Sequence, residues 1–493
     1  MIDKLKDSFG EMVIYKNLKK SNFFNSLSLP SFMRDFVLQK FQDEEGNFDV
    51  DDVKRFLDNF YPKKEDLNKI KDRLLNYETV KILGKISVDI DISSGECSFS
   101  LPDLGIKKGE TIIERYDWER FKEHLLGQTE TWGLMEMQYK PPVSKKGKGG
   151  QIKLVSFKPF CPYEIDLEEF KDARAEFNND EWINVLIGAI DYNPAGYVGS
   201  EPEEQKRTLL TRLLPFLEKR LNLIELAPKG TGKSYLFGRL SRYGWQASGG
   251  KITRAKMFYD MTKRAYGFLK NRDFITFDEI QTISFPEEDE MRSILKEYLE
   301  SGRFVVGNYQ GESDAGMILC GNIEKRIMDS DGTENMFTEL PSCFHESALI
   351  DRFHGFIKGW KIPRMNDDLK MQGWALNSEY FTSILHALRD DGSYRLIVDE
   401  MVEVPPHPDT RDTEAIKRIT TAYLKLFFPN VRTPDDISFF DFDTYCLRRA
   451  KKMRRIILEQ LALLDSEYRG RSIPNLQVVD KFRKFTNGVE LRK

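Results

Sequence analysis

Apolar residues recur three and four positions apart in "PSFMRDFVLQKF" and "VDDVKRFLDNFY", the spacing that gathers them on one face of a helix. The intervening "DEEGNFDVDD" carries turn chemistry, so residues 1–77 are expected to form a helical region. Near residue 80 the period changes to two. "KISVDIDIS" alternates, and "GECSFSLPDLGI", "GLMEMQYK" and "GQIKLVSFK" continue as short segments broken by glycine and proline, which predicts a small β sheet or barrel over residues 78–165. Helical spacing returns in "NNDEWINVLIGAI", with Asn179 or Asp180 as the expected N-cap, and in "EPEEQKRTLLTRLLPFLEKR". From there short apolar strands alternate with helices to residue 365, the pattern of a parallel sheet with crossover helices. Residues 366–493, with "AIKRITTAYLKLFF" and "RRAKKMRRIILEQLALLDSEY", read as a helical lid. The expected fold class is therefore multi-domain α/β: an N-terminal α+β domain, a core over 166–365 and C-terminal helices.

Composition narrows this picture only a little. A chain of 493 residues, 40% of them hydrophobic, can bury more than one core. No run approaches the length of a membrane span, and "MIDKLKDSFGEMVIYKNLKK" has no apolar leader core, so a cytoplasmic location without a membrane partner is expected. Cys97, Cys161, Cys320, Cys343 and Cys446 stand singly, which signals neither a zinc site nor a disulfide framework. The net charge of -4 excludes an overall basic coat for nucleic acid but leaves local patches open.

Chemistry enters with "LIELAPKGTGKSYLF". Backbone N–H groups of a GxxxxGK[ST] loop converge on a phosphate at a helix N-terminus. Here alanine, Ala227, stands at the first glycine, followed by Gly230, Thr231, Gly232, Lys233 and Ser234. Lys233 is expected to reach the β and γ phosphates of ATP, and Ser234 to ligate Mg2+. An acidic pair at another strand end is the next requirement, and "DFITFDEI" supplies it. Asp278 would join the metal shell and Glu279 would polarise the attacking water. "GMILCGNI" ends in Asn322, an amide suited to orienting that water, and "ALIDRFHGFIKGWKIP" offers Arg352 as a cation contributed by a neighbouring subunit. Arg454, in "AKKMRRIILEQL", is a candidate second phosphate contact, with Arg448, Arg449 and Arg455 as rivals.

This order of motifs resembles that of AAA+ ATPases. More narrowly, "NNDEWINVLIGAIDYNP", "ASGGKITRAKMFYDM", "DFITFDEIQTISF", "LKEYLESGRFVVGN", "ILCGNI" and "IDRFHGFIKGWKIPRM" resemble the core of the BrxL family, Lon-protease-like ATPases of BREX phage-defence systems. The resemblance implies hexameric rings that can stack as double rings, an MCM-like body plan, DNA binding and other BREX proteins as partners. It implies Walker A roles for Lys233 and Ser234, Walker B roles for Asp278 and Glu279, sensor one for Asn322, an arginine finger for Arg352 and sensor two for Arg454. Long members carry a Lon-like protease domain after the lid. The chain ends at Lys493, soon after its lid helix, so a short form with ATPase activity and no protease activity is expected.

The segment from Lys140 to Lys158 holds six lysines and no acid. Glycines at its tip would let Lys145, Lys146, Lys148 and Lys153 approach a phosphate backbone and release counterions. Trp132 and Phe157 fit a core role better than base stacking. In "LKEYLESGRFVVGNYQGESDAGM" a helix, a turn at Gly302 and a β-hairpin are expected, with Arg303 placed to grip DNA in the pore of a ring. A DNA-dependent ring ATPase is thus the leading expectation, and an ATP-dependent protein remodeller or unfoldase the alternative.

Overall fold

Five segments pair in parallel to form the central sheet: β1 (Leu223–Leu226), β2 (Gly244–Lys251), β3 (Phe274–Ser284), β4 (Gly316–Gly321) and β5 (Gly355–Lys358), in the spatial order β5-β1-β4-β3-β2. Every residue of β1 and β4 is buried, as expected of parallel strands covered on both faces. This computed structural model describes residues 1–482 except 19–28, 44, 93, 127–130, 143–148, 161–163, 263 and 331. The fold is mixed α/β with a parallel sheet, as the alternation of strands and helices predicts.

Two compact units result, one of residues 1–38 and 165–493 and the other of 39–164. The division differs from the boundaries at 77 and 365 read from the sequence. The first 38 residues belong with the central sheet because Val13–Asn17 pairs antiparallel with Gln372–Leu376, and Phe9 stacks near Phe177 and Trp182. A five-residue strand is too short to declare its period, so this pairing is invisible in the pattern of apolar positions. The C-terminal helices share that unit too. A side chain at Gly355 would lie 3.0 Å from Met453 on the helix Arg448–Leu464, so this helix sits directly on β5.

Helix starts follow local chemistry. Asn178, rather than Asn179 or Asp180, caps the helix Asn179–Ala189, and Glu181 completes a reciprocal capping box, which satisfies two otherwise orphaned N–H groups. "EPEEQKRTLLTRLLPFLEKR" breaks into Pro202–Leu210, a 3-10 turn Thr211–Leu213 and a short helix Leu214–Leu217.

In the other unit, the segments Glu96–Ser100, Val80–Asp91, Thr131–Lys140, Gln151–Pro159 and Thr111–Ile112 pair in that spatial order. Ile113 then donates a 2.8 Å backbone hydrogen bond to Cys97, so the first strand of the sheet meets the last. Phe99, Met135, Met137 and Leu154 fill the interior. Among the described residues no helix is long and apolar enough to cross a membrane.

Candidate functional site

Parallel strands deliver their C-terminal ends to one edge of the sheet, the edge where α/β proteins place ligands. β4 lies between β1 and β3, so the loops after all three open side by side. The loop after β1 is Ala227 to Gly232, and the helix Lys233–Arg239 begins at its end. Gly230 and Gly232 have φ of +84° and +79°, left-handed values that glycine adopts without steric cost. Gly232 is required twice over, since a Cβ there would meet the Tyr192 hydroxyl at 1.9 Å.

The loop is braced from below. Glu225 on β1 and Arg212 are each fully buried and paired at 2.5 Å. The Arg212 guanidinium also donates to the Thr231 carbonyl at 2.7 Å and to its hydroxyl at 3.2 Å. Burial disfavours the charge on Arg212, but Glu225 outweighs it and holds the guanidinium firmly protonated. From the other side, the Met365 N–H donates to the Gly230 carbonyl at 2.7 Å. Lys233, mostly buried, donates to the carbonyls of Ala227 and Pro228 at 3.3 and 3.4 Å.

Ser234 Oγ donates to Asp278 Oδ2 at 2.5 Å, and Gln246 on β2 donates to the same oxygen at 2.7 Å. The two residues expected to share a metal ion are therefore in direct contact. Their all-oxygen donor set suits magnesium, a hard cation. Beyond Asp278 the pairing of β3 with β2 is interrupted until Ile283, and Glu279 takes a φ of +50°. A non-glycine residue in that region is strained and is commonly found at functional sites. The kink leaves Glu279 exposed beside the buried Asp278. Asn322 follows β4, and its N–H and carbonyl both bond the Gln281 amide, at 3.3 and 2.7 Å. The Ala227 N–H donates to the Gly321 carbonyl at 3.1 Å, which puts the start of the phosphate loop beside Asn322.

Other expected residues lie elsewhere. Arg454, expected at the nucleotide, is a buried brace. It is 1% exposed and donates to Asp412, Asp351 and the carbonyls of Asp351 and Phe353. These partners precede β5, whose first residue pairs with the first residue of β1, so Arg454 sits at the end of the sheet opposite the phosphate loop. Its rivals Arg448 and Arg449 line a cavity of about 490 Å³ with Arg207, Lys358 and Lys361. Arg352 also precedes β5, and it pairs with Glu300 at 3.0 Å.

Arg303 opens the expected hairpin, Arg303–Val306 with Tyr309–Glu312, and is exposed. Tyr309 of that hairpin stacks on Tyr259 of a second small hairpin, with ring centroids 3.8 Å apart. Lys153, expected to approach a phosphate backbone, is paired with Glu114 at 2.6 Å and Asp117 at 3.3 Å. Lys145, Lys146 and Lys148 lie outside the described residues. Phe157 is core, and Trp132 stacks on Tyr61. Cys97, Cys320, Cys343 and Cys446 are free and buried, and burial pushes the Cys320 thiol well up; Cys161 lies outside the described residues.

Sequence reasoning missed Arg212, Glu225 and Gln246. The first two carried a signal: an arginine inside "LLTRLLPFL" and a glutamate inside "LIEL" are charges in apolar runs, and buried charges require partners. Gln246 gave none.

The family model described as "Lon-like protease BrxL-like, ATPase domain" matches residues 152–473. That described as "BREX system Lon protease-like protein BrxL N-terminal" matches residues 7–139. A protein from Escherichia coli O9:H4 (strain HS) named "Lon-like protease BrxL" is 28% identical over 93% of the chain and 64% of its own length. One of the same name from Bacillus cereus (strain H3081.97) is 28% identical over 87% of the chain and 62% of its own length. The chain thus spans less than two thirds of each of these relatives.

Proposed function

The chain belongs to the BrxL family, and from that premise we propose that it is a ring-forming, DNA-binding AAA+ ATPase of a BREX-type phage-defence system. The contact between Ser234 and Asp278 carries the ATPase reading, because it unites the phosphate loop with the acidic strand end. Lys233 binds phosphate, Ser234 and Asp278 hold Mg2+, Glu279 orients water as a general base and Asn322 assists it. Bound magnesium would neutralise charge on the β and γ phosphates. The strand order β5-β1-β4-β3-β2 supports the AAA+ assignment. Placement of Arg352 away from its own phosphate loop supports a ring in which one subunit completes the site of the next, as a hexamer or stacked pair of hexamers. Other BREX proteins are proposed partners.

DNA as the ligand is supported by the lysine run around residues 145–148 and by the small sheet whose end strands meet, which we read as a compact barrel. A second reading, an ATP-dependent protein remodeller, is favoured by the relatives' shared name, "Lon-like protease BrxL", since proteases of that kind act on polypeptide. Hydrolysis rates with duplex DNA, single-stranded DNA and unfolded protein separate the two. Stimulation by DNA that is lost in a Lys145→Glu, Lys146→Glu, Lys148→Glu variant supports the first. Affinity and salt dependence unchanged in that variant would place DNA, if bound, elsewhere, because each lysine lost should remove nearly one unit of salt slope.

A further inference from the structure

Asp191 ends the segment that follows the helix Asn179–Ala189, at a φ of +73°, and is almost wholly buried. Two cations of the N-terminal segment converge on it. Lys16 reaches Oδ1 at 2.9 Å, while Arg34 reaches Oδ1 at 2.7 Å and Oδ2 at 2.8 Å. Asp35 balances the charge, accepting from Arg34 and pairing with Lys16 at 3.2 Å. Two positive and two negative side chains therefore alternate in the interior. Burial opposes ionisation of Asp191, but Arg34 and Lys16 overcome it and hold the carboxyl well below its usual range.

A further partner of Asp191 comes from the candidate nucleotide site. Tyr235, the residue after Ser234 on the helix that follows the phosphate loop, donates its hydroxyl to Asp191 Oδ2. The same hydroxyl accepts from Ser31 at 2.8 Å and from Arg34 at 3.2 Å. Beside Asp191, Tyr192 presents the hydroxyl that leaves no room for a side chain at Gly232. The dipeptide Asp191-Tyr192 thus touches the phosphate loop at Gly232 and the helix after it at Tyr235. The Asp191 backbone, at a strained φ, bonds Gly188 and Met371, and its carboxylate is held by Lys16 and Arg34. The family's ATPase model begins at residue 152, so these two cations lie outside it.

We propose that Arg34 and Tyr235 are positioning residues of the nucleotide site: the N-terminal segment, acting through Asp191, sets the geometry in which the phosphate loop receives ATP. The proposal rests on the ATPase reading above. A loop held in one conformation before the nucleotide arrives costs less to order on binding, and displacing reacting groups by an ångström can cost two orders of magnitude in rate.

The test uses the full chain. Tyr235→Phe removes one hydroxyl and no charge, so it should still fold, with a melting temperature lowered by the hydrogen bonds lost to Asp191, Arg34 and Ser31. Its KM for ATP should nevertheless rise about tenfold, a loss of binding rather than of folded protein. Arg34→Met should raise KM further, and Arg34→Lys, which keeps the charge but loses the fork that spans Asp191 and Tyr235, should fall between. A purely structural role would lower the melting temperature and the active fraction while leaving KM unchanged, and that outcome in Tyr235→Phe would overturn the proposal. Lys233→Ala is run beside them. If it is inactive while Tyr235→Phe is normal, positioning alone fails; if it hydrolyses ATP like wild type, the ATPase reading fails and positioning falls with it.

Discussion

Ser234 donates its hydroxyl proton to Asp278 across 2.5 Å, so the helix after the phosphate loop and the break in β3 at Asp278 are already joined where a divalent cation would be shared. Ser234→Ala and Asp278→Asn each remove one oxygen donor from that pair. Magnesium-dependent hydrolysis should fall on the order of a hundredfold in either, the scale of losing one electrostatic contact in a transition state. Ser234→Thr keeps the hydroxyl and should keep most of the activity. A magnesium titration of turnover checks this, and an unaltered titration in Ser234→Ala would remove Ser234 from the metal site.

Gly232 and Tyr192 are linked by space rather than by a bond. Alanine at 232 would have to hold a φ of +79°, at a cost of about 1 kcal/mol, and would push against the Tyr192 hydroxyl. Gly232→Ala should therefore weaken ATP binding about tenfold or more, since every 1.4 kcal/mol is a factor of ten. Adding Tyr192→Phe should recover part of the loss by removing the obstructing oxygen. Fluorescent-nucleotide titration reads both, and equal affinities in the single and double variants would show that only the backbone strain matters.

The parts of this site legible in the sequence are those fixed by local chemistry. Gly230 to Ser234 and the pair Asp278-Glu279 are contiguous motifs whose spacing dictates their geometry, and the structure brings them together across β4, which lies between β1 and β3. The hairpin after Gly302 was legible for the same reason, because glycine at a φ of +79° ends the helix there. Long-range pairings were not. Val13–Asn17 finds its partner strand more than 350 residues away, and Arg212 beneath Thr231 depends on how a helix crosses β1. The acidic partners of Arg454 and Lys153 were not legible either, because a cation on an amphipathic surface and one paired with an acid from another element look alike in a sequence.

Arg454 makes a separate prediction because its partners are two buried acids. Arg454→Met would leave Asp351 and Asp412 buried without their main cation, a loss of about 3–5 kcal/mol when one member of a buried pair is removed. Denaturant unfolding should show that loss. Nucleotide affinity, measured on the folded fraction, should be unchanged. A lower affinity at undiminished stability would return Arg454 to the nucleotide.

Glu379 sets a pH dependence. Burial raises its carboxyl to about 7, and Arg242 at 3.2 Å opposes this only in part. The folded chain then keeps a proton that the unfolded chain releases near the ordinary value of 4.5. Stability from this group is complete below that value and is lost as the pH rises through about 7, by roughly 3 kcal/mol in full. Glu379→Gln cannot titrate. Melting temperatures taken at intervals across this window should fall less steeply in the variant than in wild type, and parallel profiles would mean that Glu379 is ionised throughout.

Arg352 is the last case, and its position argues for action between subunits. It precedes β5, at the end of the sheet where β1 begins, whereas the phosphate loop follows the last residue of β1. Three residue steps along a strand separate those ends by about 10 Å, and Arg352 is turned toward Glu300 and the Ala348 carbonyl, so it does not face its own nucleotide. In a ring the same arginine would be presented to the neighbouring subunit, where it would stabilise charge developing on the γ phosphate. Arg352→Ala and Lys233→Ala should each be inactive alone, by about a thousandfold for the arginine. Mixed, they should regain a fraction of wild-type turnover, because some interfaces then join an intact phosphate loop to an intact arginine. Size-exclusion of differently tagged subunits establishes co-assembly; a mixture that co-assembles and stays inactive would show that Arg352 serves only its pairing with Glu300.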